Sequence, residues 1–165
     1  MAINEQVAIV PDGDWACVMD GDTLLLTPNW VRHVYDVVAK HGDRFGLMGC
    51  MTNRLRRPIQ RIGEMDNDHN VLRHYGIAKE LEETRWADVE DITRKKFIAG
   101  MFMLFPKSAW NKVKFKERNV AFDDAFSLDV IAAGYKIGLM RGLYVYHFYR
   151  GWSDNPERDK KHLRP

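Results

Sequence analysis

A chain of 165 residues with 45% hydrophobic and 29% charged residues has the size and mix of one folded domain, which excludes a disordered tail, a collagen-like repeat and two ordinary domains. Lys and Arg number 25 against 23 Asp and Glu, and a net charge of +2 is too small to imply a nucleic-acid partner by itself. Apolar runs such as Phe97–Phe105 fall well short of the ~20 residues a membrane helix needs, and Met1–Pro11 shows no charged-then-apolar leader.

The first apolar run, Asp14 to Met19, stops at Asp20-Gly21-Asp22 and predicts a buried strand feeding an acidic loop. Thr27-Pro28 predicts a helix start, with Trp30, Val31, Val34, Val37 and Val38 on its apolar face and Gly42 at its end. Phe45–Met51 reads as a second buried strand, and strand, helix, strand at this spacing predicts a parallel pair. Leu55–Asn70 is polar and without period, as in a functional or mobile loop. Val71–Trp86 reads as a helix with Leu72, Tyr75 and Leu81 as its apolar residues. Phe97–Phe105, the most apolar segment, reads as a central strand interrupted by Gly100. A short helical turn after Pro106, a helix over Asp124–Ala133 and strands over Tyr135–Met140 and Leu143–Phe148 complete the chain. Cys17 and Cys50 lie in apolar runs without CxxC spacing and read as reduced core residues. The expected organisation is one domain over 1–152 with a polar tail over 153–165, in the cytoplasm.

Four constellations could carry chemistry. Asp20 and Asp22 flank Gly21 at a strand end, where two carboxylates hold a hard divalent cation and glycine admits phosphates; the alternative is an acidic turn that only ends a strand. Asp123 and Asp124 open a helix, either as a general base or as residues favoured by the helix dipole. His147 alternates with Val145 and Tyr149 on one strand face, either as a metal ligand or as a satisfied strand residue. Arg54, Arg56, Arg57 and Arg61 form either a solvated run or a set of guanidinium forks for phosphate or an anionic glycan.

The order and spacing of these parts resemble the catalytic half of a family 2 glycosyltransferase of the GT-A type. The resemblance runs from Trp15 to about Arg150, through Asp20-Gly21-Asp22, Gly100, Phe122-Asp123-Asp124, Ala133–Ile137 and His147. It implies an α/β fold, an open, mostly parallel, partly Rossmann-like sheet flanked by helices. It also implies a metal-dependent, inverting transfer of sugar from a nucleotide-sugar donor to a glycan or other hydroxyl acceptor. In that family the DxD carboxylates hold Mn²⁺ or Mg²⁺ on the donor diphosphate, which places the cation on Asp22, with Asp20 beside it and His147 completing the shell. The family's base stands eleven residues before the helix-ending glycine, as Asp123 stands before Gly134. On the same resemblance Gly21, Gly100, Asp124 and Arg150 fall on the donor or acceptor side, as do Thr52, Asn53, Arg54 and Gln60.

Two positions depart from the pattern. Phe122 replaces the family's glutamate before the base. Only nineteen residues precede Asp20, so the chain is expected to begin partway into the fold, with Met1–Val10 resembling the helix before the DxD strand. An exposed sheet edge left by the shortened nucleotide unit would be covered by a second copy of the chain. Two competing readings are a degenerate, non-catalytic glycan or nucleic-acid binding module, and a haloacid-dehalogenase-like phosphatase with Asp20-Gly21-Asp22 and Thr52 as its motifs. Against the phosphatase, Leu24 stands where that family has Thr or Val.

Overall fold

The computed structural model describes residues 2–116 and 121–149. Arg150 and the 153–165 tail lie outside them. Helix α1 (Ala2–Ala8) leads to strands β1 (Trp15–Met19) and β2 (Thr23–Leu25), then to helix α2 (Trp30–His41) and strand β3 (Phe45–Thr52). A 3₁₀ turn (Pro58–Gln60) interrupts the long loop before helix α3 (Val71–Thr84) and strand β4 (Val89–Asp91). Strand β5 (Phe102–Pro106), helices α4 (Lys107–Lys112) and α5 (Phe122–Ala132) and the twelve-residue strand β6 (Lys136–His147) follow.

All strands join one six-stranded sheet in the order β1-β5-β3-β6-β2, with β4 also paired to β6. Among the described residues only strands β3 and β6 run parallel; β1 with β5, β3 with β5, β2 with β6 and β4 with β6 are antiparallel. The expected open, mostly parallel, Rossmann-like sheet is therefore corrected to a mostly antiparallel, nearly closed, barrel-like one. The parallel pair expected of the Asp14–Met19 and Phe45–Met51 runs does not form, because β5 lies between β1 and β3 and is antiparallel to both. The two ends of the strand order, β1 and β2, are joined by Asp20-Gly21-Asp22 alone, so this acidic loop sits at the seam of the curled sheet.

The central strands β3 and β6 are buried almost throughout, as a sheet covered on both faces requires. One face packs Leu47, Ile137, Leu139 and Tyr144 against Ala78 of α3, Phe126 and Val130 of α5, Trp110 of α4 and Val7 of α1. The other packs Met48, Cys50, Leu104 and Val145 against Val37 of α2, together with Phe97 and Ala99. Lys107 holds α1 in place, its buried ammonium donating to the Val7 and Ala8 carbonyls at 2.6 and 3.0 Å. These carbonyls stand at the C-terminal end of the helix, where a cation is favoured.

Several local expectations change. β1 lies at one end of the strand order and only Ala16 is buried in it, which leaves Cys17 exposed while Cys50 is buried. Thr27 does not cap α2; its hydroxyl accepts from the Tyr144 amide at 2.8 Å, and the helix begins at Trp30. α2 buries His33 and Val37 and leaves Trp30 and Val31 exposed. α3 buries His74, Ala78 and Glu82, while Leu72 and Tyr75 face outward. Residues 97–101 are buried but precede the ladder of β5. The two late strands are one, with a register shift where Cys50 pairs Met140 and Met51 pairs Tyr144.

The long loop is ordered by its own polar side chains. Asp66 accepts from the Asp68 amide, Asp68 from the Asn70 amide, and Asn70 caps α3 through the Leu72 and Arg73 amides. Asp66 also pairs with Arg73.

Candidate functional site

Strand β1 ends in a turn closed by the Thr23 hydroxyl, which donates to the Asp20 carbonyl at 2.7 Å. The register of β2 on β6 sets Thr23 opposite His147, and the Phe148 amide donates to the Asp22 carbonyl at 3.0 Å. Two residues remote in sequence are thereby held against the acidic loop. One potential ligand atom each from Asp20, Asp22 and His147 lies within 4.8 Å of the other two.

His147 is buried and fixed from behind. Its amide donates to the Asn53 side-chain oxygen at 2.8 Å, and its Nδ1 lies 3.1 Å from the Arg54 carbonyl. A carbonyl only accepts, so Nδ1 carries a proton and Nε2 is turned toward Asp22, 3.3 Å from Oδ1. A proton and a cation are alternatives at Nε2, and a backbone carbonyl behind the ring is the usual orienting partner of a metal-ligating histidine. Burial pushes the Asp20 carboxyl up, with His147 opposing it and the negative charges of Asp22 and Asp123 adding to it. The hydrogen bond with His147 holds Asp22 below its ordinary value. Two carboxylates and one imidazole form a donor set that Mn²⁺ fits well and Mg²⁺ fits less well, because the smaller ion favours oxygen throughout.

The second carboxylate site is Asp123, in the first turn of α5. Its Oδ2 accepts from the Gly100 amide at 3.0 Å and its Oδ1 from the Asp124 amide at 2.9 Å. Burial pushes its carboxyl up, and these two hydrogen bonds oppose the rise. Asp124 is engaged separately: Arg57 donates to both of its oxygens, at 2.6 and 3.0 Å.

A cleft of about 560 Å³ joins the two sites and is lined by Asp20, Asp22, Gly100, Asp123, Asp124 and His147. Leu55, Arg56, Arg57, Phe97, Met101 and Tyr149 line it as well. Of these, Phe97 and Tyr149 carry little sequence signal beyond the alternation of Tyr149 with His147.

The remaining candidates take other positions. A Cβ on Gly21 would meet nothing within 4 Å, so the loop backbone is open to a ligand. A Cβ on Gly100 would come within 2.9 Å of the Phe122 ring, so this glycine admits the first turn of α5 as well as lining the cleft. Gln60 is fully buried and ties the Cys50 carbonyl to the Ala99 amide. Thr52 is buried with its hydroxyl donating to Asn53 at 3.3 Å, which removes it from the phosphate-facing place a phosphatase would need. Asn53 and Arg54 stand behind His147 rather than on the cleft wall, and the Arg54 side chain is buried. Of the arginines in the loop after β3, Arg56 and Arg57 reach the cleft.

Among the described residues, no helix is long and apolar enough to cross a membrane. No protein-family model matches the chain, and no curated protein matches it as a relative.

Proposed function

We propose that this chain is a divalent-cation-dependent glycosyltransferase, moving a sugar from a nucleotide-sugar to a hydroxyl acceptor with inversion at the anomeric carbon. The supporting observation is one cleft that holds both a three-residue cation group and a separate, oriented carboxylate. Asp20, Asp22 and His147 would hold the cation, which when bound would supply Lewis-acid stabilisation of the charge on a departing diphosphate. Asp123 takes the proton from the acceptor hydroxyl as that oxygen attacks. The Gly100 and Asp124 amides keep its oxygens in a fixed orientation, and partial burial raises its basicity. Gly21 leaves open space at the acidic loop, and Arg56 lines the cleft in which the phosphates would lie.

Release of nucleoside diphosphate from a panel of nucleotide-sugars, with Mn²⁺ and with an acceptor, tests this reading. Asp22→Ala is expected to abolish cation-dependent donor binding and turnover together. Asp123→Asn is expected to keep binding and lose on the order of 10²-fold or more in turnover, the usual contribution of a general base. Full turnover in Asp123→Asn would remove the base assignment. Release of inorganic phosphate from simple phosphate esters, with no action on nucleotide-sugars, would overturn the reading as a whole.

A further inference from the structure

The loop after β3 reaches across the cleft mouth to the start of α5 through one side chain. Arg57 is extended before Pro58, at φ −92° and ψ 134°, as a residue preceding proline must be. Its guanidinium lies 4.1 Å over the ring of Phe97 and forms both hydrogen bonds to Asp124. The Arg57 and Asp124 side chains are 48% and 35% exposed, so as an ion pair they add little to stability. What the arrangement does supply is direction. A planar fork on an aromatic face, bonded at both prongs, holds one orientation that a single charge pair does not.

That orientation bears on Asp123. The helix start at Ala121 has no side-chain cap, so its first turn is not fixed in that way. Asp124 offers its carboxylate to Arg57 and its amide to the Asp123 Oδ1. The Gly100 amide, on the segment carrying Phe97, holds Oδ2. Arg57 thus touches one support of that carboxylate directly, Asp124 by hydrogen bonds, and lies over the ring of Phe97, three residues before Gly100, the other support.

We propose that Arg57 is the positioning residue for Asp123, acting through Asp124 and Phe97; this rests on the reading of Asp123 as the base. Arg57→Ala is expected to lower kcat on the order of 10²-fold, the scale of an ångström-sized misplacement. The KM for donor and the affinity for Mn²⁺ stay at wild-type values, and the melting temperature moves by no more than about 4 °C. Arg57→Lys fails to restore kcat, because an ammonium cannot make both bonds while stacked. Arg57→Ala combined with Asp124→Ala is no slower than Arg57→Ala alone. Hydrogen exchange at the Gly100 and Asp124 amides accelerates in Arg57→Ala. Wild-type kcat in Arg57→Ala overturns the proposal, as does a loss of Mn²⁺ affinity equal to the loss of turnover. If the wild-type protein transfers no sugar, the functional reading fails and exchange alone decides: unchanged protection at Gly100 and Asp124 then overturns the positioning role.

Discussion

Histidine 33 shows how little a residue's type says about its place. In sequence it falls between Arg32 and Val34, on a helix whose periodicity sets Trp30, Val31, Val34, Val37 and Val38 on the inner face. In the fold it is fully buried, edge-on to Trp86 at 4.9 Å between ring centres, with neither ring nitrogen hydrogen-bonded. Burial holds its pKa below the ordinary value, with the negative charges of Glu82 and Asp36 opposing that shift. The unfolded chain takes up this proton near pH 6.5 and the folded chain does not, so stability falls as pH drops below ~6.5. Urea midpoints at pH 7 and 5.5 for wild type and His33→Phe measure it. The variant is expected to lose less stability on acidification, and parallel losses would contradict the assignment. Asn53 and Gln60 teach the same lesson. Short polar side chains read as ligand contacts in a linear text, and their roles as brackets depend on partners such as His147 and Ala99 that only the fold supplies.

At the scale of elements, the sequence indicated most helices and the central strands but not their contact faces. The helical period of α3 is real, yet its inner stripe is His74, Ala78 and Glu82: Ala78 joins the apolar core, and the two polar residues each find a partner. His74 bonds the Tyr144 hydroxyl at 2.8 Å, and Glu82 takes the Asn29 amide at 2.7 Å. Strand β4 escaped notice because three residues carry too little pattern, and β6 read as two strands because Arg141-Gly142-Leu143 breaks its alternation. Gly142 sits in that break with no room for a side chain: a Cβ would meet the Arg85 carbonyl at 2.3 Å and His33 at 2.6 Å. Gly142→Ala is therefore expected to destabilise by about 3 kcal/mol, since backbone must move. Gly76, inside α3, has nothing within 4 Å of a Cβ. Gly76→Ala should stabilise by about 0.5–1 kcal/mol. Chemical denaturation of both variants checks the pair, and similar effects of the two would contradict the packing described here.

The whole molecule differs most from its sequence in topology. Local patterns mark strands but carry no record of which strand lies beside which. Insertion of β5 between β1 and β3, and the parallel pairing of β3 with the last strand, arise from long-range burial. That topology brings both ends of the strand order to Asp20-Gly21-Asp22 and places His147 against it through the Thr23 register. The candidate residues 20, 22, 123 and 147 were legible as separate motifs, whereas the tie between Arg57 and Asp124 and the support of His147 by Asn53 and Arg54 were not. The central claim is that this seam holds one divalent cation for chemistry in the adjoining cleft. Calorimetric titration of the full chain with Mn²⁺, beside Asp22→Ala and His147→Ala, tests it most directly. The account predicts one saturable site in the wild type, weakened by at least about 10-fold in each variant. Absence of saturable binding in the wild type, or equal binding in all three proteins, would contradict it.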